Sequence, residues 1–143
     1  MITQSTEEYF KDGLWGWNGT VWKKLSLLWG YTDSIVETRS NLNSPAVVGV
    51  LTFSTVPPGE VWRITQWVGV DVTTACTNYI LAILRSATPY SLSTVVPSAA
   101  NDYKGSACDL ILKEGDALTI SFVGTVLNDD IYGWVHGYKM GVS

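Results

Sequence analysis

The sequence predicts an all-β domain, either a sandwich or a barrel, that follows an extended aromatic N-terminal arm. After Pro45 the chain consists of short β-branched runs separated by turn residues at fairly even spacing, which is typical of antiparallel β proteins. Several runs alternate apolar and polar residues, and no segment keeps a helical period. Four of the seven tryptophans lie ahead of these runs, at positions 15, 17, 22 and 29.

The arm is predicted over residues 1–44. Its first twelve residues carry few apolar groups and are expected to form a flexible tail or one short helical turn. In the following LWGWNGTVWKKLSLLWGY, the pair Asn18-Gly19 is a hairpin signal between aromatic segments, so we expect strands over 14–17 and 21–29. The polar stretch 32–45 predicts a link, with a short strand over 34–38.

The body is predicted over residues 45–143. Pro57-Pro58-Gly59 and the segment 113–116 (KEGD) are turn signals that precede long strands, because proline presets φ and glycine accepts a positive φ. Residues 88–105 predict a long surface loop with one short strand. The strands of the body are expected at 46–56, 60–73, 78–86, 108–112, 117–126 and 131–142.

Alternation assigns faces in two of these strands. In VWRITQWVGVDV (61–72) the even-numbered residues form the more apolar face, so we expect Trp62, Ile64, Gln66, Val68, Val70 and Val72 to face the core. In the last strand, one side carries Tyr132, Trp134, His136 and Tyr138, and the other carries Ile131, Gly133, Val135 and Gly137.

Composition and charge exclude several classes of partner. Charged residues make up 15% of the chain and apolar residues 46%, so a lone monomer has few polar groups to cover its surface, and a homo-oligomer is expected. The formal net charge of −4 argues against nucleic-acid binding. No apolar run is long enough to cross a bilayer, and residues 1–12 do not resemble a signal peptide. We therefore expect neither nucleic acid nor membrane as a partner.

The residues that could carry chemistry do not form a catalytic set. His136 is the single histidine and lacks the partners of a triad, so a packed or interface histidine is expected and zinc is not. Cys76 and Cys108 have no CxxC spacing and are expected to be small buried hydrophobes, with a disulfide as the alternative. Asp129-Asp130 predicts a solvated turn, with a calcium site as the alternative. Phosphate-binding glycine loops are absent. The sequence predicts no enzyme, no cofactor and no metal.

Two aromatic groups are candidate binding surfaces. Tryptophan and tyrosine gain most from burial against a partner while keeping a polar group, so the arm is expected to dock on another chain. A lid over an edge of its own sandwich is the alternative. In the last strand, Trp134, His136 and Tyr138 are expected to pack in the core or between subunits, with a sugar-stacking surface as the alternative. The docking residues of the arm are Trp15, Trp17, Trp22, Leu25, Leu28, Trp29 and Tyr31.

Three blocks of the sequence resemble one known group of proteins. VPPGEVWRITQWVGVDV, LKEGDALTISFVG and DIYGWVHGYKM resemble the small jelly-roll domains of tailed-bacteriophage virion proteins, and WGWNGTVWKKLSLLWGY resembles a segment that precedes such domains. The resemblance implies a jelly-roll-like β-sandwich over 45–143 and a role in the virion as a capsid decoration or auxiliary protein. Its implied partners are the major capsid protein or other virion proteins, and its implied oligomer is a trimer. A tail or head-fibre adhesin and a carbohydrate-binding or receptor-binding module are the alternatives.

Overall fold

The computed structural model describes residues 14–17, 20, 22–25 and 31–141. All regular elements of these residues are strands. The described part of the chain contains no helix that could span a membrane. In chain order the strands are β1 Leu14–Trp17, β2 Trp22–Leu25, β3 Tyr31–Ser44, β4 Val47–Thr52, β5 Glu60–Asp71, β6 Asn78–Arg85, β7 Thr88–Val95, β8 Lys104–Leu112, β9 Ala117–Thr125 and β10 Asp129–Gly141.

Strands β3 to β10 form two four-stranded antiparallel sheets. The first sheet has the order β3-β10-β5-β8 and the second has the order β4-β9-β6-β7. Along the chain every strand crosses to the other sheet except at the β6–β7 hairpin, and this double Greek-key path is that of a jelly roll. The predicted jelly-roll-like sandwich is confirmed. Strands β1 and β2 form a separate two-stranded ribbon, with Trp17 paired to Trp22 and Leu14 to Leu25.

The hairpin predicted in the arm is confirmed over the two strands of this ribbon. Four residues, 18–21, separate Trp17 from its partner Trp22, so the connection is longer than the two-residue turn that Asn18-Gly19 indicated. The predicted second strand ran to residue 29, and its last four residues lie outside the described part of the chain.

The polar stretch predicted as a link belongs to the sandwich. Most of residues 32–45 lie in β3, which pairs with β10 from Tyr31 opposite Met140 to Ser44 opposite Asp129. Because β3 is an edge strand with an exposed outer face, few of its positions need apolar side chains, and among residues 33–44, whose burial is described, Ile35 is the one buried hydrophobic residue. The sequence of such a strand is mostly polar, and for this reason the segment was predicted to be a link.

A bulge in β5 changes which residues face the core. Opposite β10, Gln66 pairs with His136 and Ile64 pairs with Gly137, so Thr65 is one residue in excess. An extra residue moves every later side chain to the opposite face. The predicted core face is correct for Trp62 and Ile64 and wrong for Gln66, which is exposed, and for Val68. Val70 is fully buried, as predicted, whereas Val72 lies beyond the end of β5 and is half-buried. After the bulge the side chains that enter the core are those of Trp67 and Asp71, with Gly69 between them.

The loop predicted over residues 88–105 contains an eight-residue strand, β7. It forms a hairpin with β6 through Ser86 and Ala87, whose φ angles of +49° and +63° are both left-handed. A two-residue turn of this kind normally uses Asn-Gly or Gly-Gly, so the sequence carried no hairpin signal here. Strand β8 also begins earlier than expected, at Lys104 rather than at Cys108.

The core lies between the inner faces of the two sheets. Trp67 from β5 is fully buried, and its indole N–H donates to the Ser106 hydroxyl at 2.9 Å. From the second sheet, the Tyr79 and Phe122 rings pack with centroids 4.8 Å apart. The other large side chains with less than 2% exposure are Ile64, Leu81, Leu112, Leu118, Ile120 and Ile131.

Candidate binding surfaces

The outer face of the first sheet carries a row of aromatic side chains. Strand β10 lies between β3 and β5, and its residues Ile131, Gly133 and Val135 are buried. The side chains between them, which the alternation placed together on the other side of the strand, therefore point outward. Core packing is thus wrong for this strip, and His136 is exposed. We call the aromatic strip the set Tyr103, Tyr132, Trp134, His136 and Tyr138.

The rings at the centre of the aromatic strip are close to parallel. The Trp134 centroid lies 6.3 Å from that of Tyr132 with 14° between the ring planes, and 5.8 Å from that of Tyr103 with 27° between the planes. Tyr103 comes from the loop before β8 and is 59% exposed. Strand periodicity cannot reveal a loop residue, so sequence reasoning missed Tyr103.

A shallow depression lies beside Trp134. It is lined by Val68, Tyr103, Trp134 and His136 and has a volume of about 240 Å³. The bulge at Thr65 puts Val68 on this face, opposite Trp134. A lining of one aliphatic side chain, two aromatic rings and one imidazole is a common composition for a site that holds part of a ligand.

A charged pair lies at the other end of the aromatic strip. The Arg63 guanidinium donates to both carboxylate oxygens of Asp109, at 2.7 and 3.0 Å, and lies over the Tyr138 ring at 5.8 Å from its centroid. The hydrogen bond from Arg63 lowers the pKa of Asp109, so the pair is charged at neutral pH. The surface thus offers aromatic faces and, next to them, donors and acceptors for a polar ligand.

The second surface is the tryptophan ribbon, β1 with β2. Its register places residues 15, 17, 22 and 24 on one face and residues 14, 16, 23 and 25 on the other. Three of the predicted docking tryptophans thus share a face, and Leu25 lies on the opposite one. Tyr31 is the first residue of β3, whereas Leu28 and Trp29 lie outside the described residues. Docking by these residues stays a prediction.

The buried carboxylates at one end of the sandwich stabilise turns. The backbone N–H groups of Thr73 and Thr74 donate to Asp71 at 2.9 and 3.0 Å. Asp129 is 1% exposed and accepts from the Val126 N–H at 2.6 Å and from the Thr74 hydroxyl at 2.9 Å. The predicted solvated turn is therefore wrong for Asp129. Within the described residues, no group of three or more His, Cys, Asp or Glu side chains could hold a metal ion.

Both cysteines are free thiols. Cys76 is buried and donates to Asp71 at 3.1 Å, while Cys108 is half-buried and packs against the core. Burial, together with the neighbouring carboxylate, raises the pKa of Cys76 to about 12. Since the thiolate is the reactive form, Cys76 is chemically inert at neutral pH. The structure agrees with the prediction of small packed hydrophobes.

Comparison with known proteins finds a weak structural likeness to a carbohydrate-binding module. No protein family matches the sequence, and no curated protein matches it. Among solved structures, a mutant of CBM29-2, a family 29 carbohydrate-binding module, superposes with a TM-score of 0.36 and 12% sequence identity. The match covers 80% of this chain and 82% of that one. A likeness this weak says nothing about a ligand of this chain.

Proposed function

We propose that the chain is a non-enzymatic structural component of a tailed-phage virion, a decoration or auxiliary protein that docks on the shell through its N-terminal ribbon and stabilises it. The observation that carries this proposal is the tryptophan ribbon. Positions 15, 17 and 22 share one face of a two-stranded sheet that pairs with no third strand in the described part of the chain. Two strands alone are marginally stable in water, so the ribbon needs a surface to pack against.

The energetics favour docking over a free ribbon. A tryptophan buries roughly 150–250 Å² on contact, which at about 25 cal/mol per Å² contributes on the order of 5 kcal/mol before the costs of association are subtracted. Several ribbons of one oligomer that bind neighbouring sites add by avidity. A shell can therefore be held by many contacts that are individually weak.

The fold is compatible with this role, and the resembling blocks occupy defined places in it. The VPPG turn leads into β5, the KEGD turn leads into β9, and the aromatic block is β10. Jelly rolls occur both in viral capsids and in lectin domains, so the fold does not choose between them. The tryptophan ribbon and the sequence resemblance favour the role of a virion component.

The test compares the ribbon with the aromatic strip. Shells would be purified from the encoding phage after its gene for this chain has been interrupted, and incubated with the full-length protein. We expect wild type and Trp134→Ala to co-sediment with the shells and the double variant Trp17→Ser/Trp22→Ser to stay in solution. Wild-type protein that does not co-sediment, or a ribbon variant that binds as well as wild type, would overturn the proposal.

A second candidate function, carbohydrate binding, is favoured by the aromatic strip. Near-parallel rings of Tyr103, Tyr132 and Trp134 lie on an open sheet face beside the Arg63–Asp109 pair. Ring faces can pack on pyranose rings while the charged pair bonds to hydroxyl groups. Affinity electrophoresis in gels that contain polysaccharides from the host surface tests it. Retardation of wild type and of the ribbon variant, but not of Trp134→Ala, supports this function, and equal mobility of all three in every gel rejects it.

A further inference from the structure

The outer face of the second sheet carries no charged side chain. Across β4, β9, β6 and β7 the one charged residue is Arg85, at the end of β6, and it is paired with Asp116. Strand alternation and register place uncharged residues on the outer side of all four strands. We call the uncharged face the set Val48, Val50 and Thr52 on β4, Thr119, Ser121 and Val123 on β9, Asn78, Ile80, Ala82 and Leu84 on β6, and Ser91 and Thr94 on β7.

We propose that the uncharged face is a two-fold interface with a second copy of this chain. In a two-fold pair the same patch lies on both subunits, so any charge on it would meet a like charge or be buried. The uncharged face has none. At its centre Ala82 and Thr119 are small and only 4% and 6% exposed, while Val48 and Val50 on the edge strand β4 are 40% and 48% exposed. Two such faces can pack as the sheets of a sandwich do.

The area is sufficient for a weak specific pair. Four strands spaced about 4.8 Å apart, over six residues of about 3.3 Å each, cover roughly 400 Å² on each copy. Three more exposed apolar side chains adjoin this face at one end, those of Val47, Val126 and Leu127. With them the pair buries about 1,000 Å², the lower bound for specific interfaces. We therefore expect reversible self-association rather than an obligate dimer.

Val47 supplies an independent observation. Its φ is +76°, a conformation that glycine adopts freely and that is a genuine outlier for a β-branched residue. Its side chain is 69% exposed, and the pairing of β4 with β9 is irregular between Val47 and Val48. Strain of this kind persists where another role requires the residue. An apolar contact to a second copy at the rim of the uncharged face would be such a role.

The first experiment measures mass against concentration by light scattering on the full-length protein. We expect wild type to approach twice the 15.7 kDa of one chain as concentration rises into the high micromolar range. Val50→Lys should weaken the association at least tenfold. Val36→Lys is the matched control, because Val36 is an exposed valine on the outer face of the first sheet, and it should associate as wild type does.

The second experiment uses Val47→Gly, which guards against a variant that simply fails to fold. The glycine relieves the left-handed strain, so the melting temperature measured at low concentration should stay equal to that of wild type or rise. The association should nevertheless weaken severalfold, since the rim contact is gone. A stable variant that loses affinity cannot be explained by misfolding.

Three outcomes would overturn the proposal: a wild-type chain that stays monomeric up to millimolar concentration, a trimeric mass, or a dimer that survives Val50→Lys unchanged. If wild type is monomeric and Val50→Lys lowers its melting temperature by several degrees, the ribbon of the same chain covers this face instead. None of these results bears on shell binding by Trp17→Ser/Trp22→Ser, so the two proposals fail separately.

Discussion

The two sheets of the sandwich have similar inner faces and contrasting outer faces. Inward, each contributes large side chains that are fully buried, such as Trp67 in the first sheet and Phe122 in the second. Outward, the first sheet carries the aromatic strip and the Arg63–Asp109 pair, and each of its strands contains at least two charged residues, whereas the second carries only small or aliphatic uncharged side chains. A sheet face that meets water needs polar groups or a partner. This contrast is the reason why we propose different partners for the two faces.

The largest effect on stability is expected from substitutions on the inner faces, where the two sheets are alike. Trp67→Ala and Phe122→Ala should each lower the free energy of unfolding by about 4 kcal/mol, because each leaves a large cavity in the shared core. Urea unfolding measures this. Val36→Ala, on an exposed position, should change stability by less than about 0.5 kcal/mol. A loss under about 2 kcal/mol for either core variant would show that the inner faces do not pack as one core.

The next effect concerns the one charged residue of the second sheet. The Arg85 guanidinium donates to both oxygens of Asp116 at 2.8 and 2.6 Å, and Asp116 is 1% exposed. Asp116→Asn should lower the free energy of unfolding by about 2 kcal/mol, since the buried carboxylate accepts from Arg85 and from the Lys113 N–H, and the amide cannot accept all of these bonds. Asp109→Asn removes the corresponding partner from the first sheet, where both side chains are solvated, and should change the melting temperature little. Equal losses would contradict the difference in burial.

The same pair predicts a pH dependence. The hydrogen bond from Arg85 lowers the pKa of Asp116 below its ordinary value of 3.8. A carboxylate with a lowered folded-state pKa stabilises the protein above its unfolded pKa, and that contribution is lost as the pH falls through the folded pKa. The stability of wild type should therefore fall faster than that of Asp116→Asn as the pH decreases below about 4. Parallel melting curves of the two proteins between pH 5 and pH 2 would contradict this.

A smaller effect is expected on the aromatic strip. Trp134→Ala removes the ring that stacks on both Tyr103 and Tyr132 and should lower the free energy of unfolding by about 1 kcal/mol. Its effect on ligand binding should be far larger than its effect on stability, because the outer face is not part of the core. Loss of binding that merely follows the loss of stability would argue that the strip is structural.

The smallest effect is a gain in stability at the β6–β7 hairpin. Ala87 has a φ of +63°, so Ala87→Gly should raise the free energy of unfolding by about 0.5 kcal/mol, as relief of strain exceeds the extra entropy of the unfolded chain. Ala82→Gly, in the middle of β6 with ordinary strand geometry, should instead lower it by about 1 kcal/mol. Thermal unfolding of the two variants distinguishes them, and a shift in the same direction would contradict the left-handed turn.

Much of the fold followed from pattern, and the errors have physical reasons. Strands β5, β6, β9 and β10 were found because alternation and turn residues are local signals. Strand β3 was predicted as a link with a short strand over 34–38, because an edge strand buries little. Strand β7 was predicted only as one short strand within a loop, because Ser86-Ala87 is an unusual pair for a tight turn. The alternation predicted that Trp134, His136 and Tyr138 share one side of β10. It did not predict that this side faces outward. Tyr103, a loop residue, could not be found this way.

The amino-acid sequence by itself determined the all-β class, most strand positions and the concentration of tryptophan near the N-terminus, because period, turn chemistry and composition are properties of neighbouring residues. Only the tertiary structure decided which strands share a sheet, which side of β10 is outer and where the bulge at Thr65 exchanges the faces of β5. Those features depend on pairings between residues far apart in the chain. The uncharged face is the clearest case, since its four strands are brought together only by the jelly-roll path.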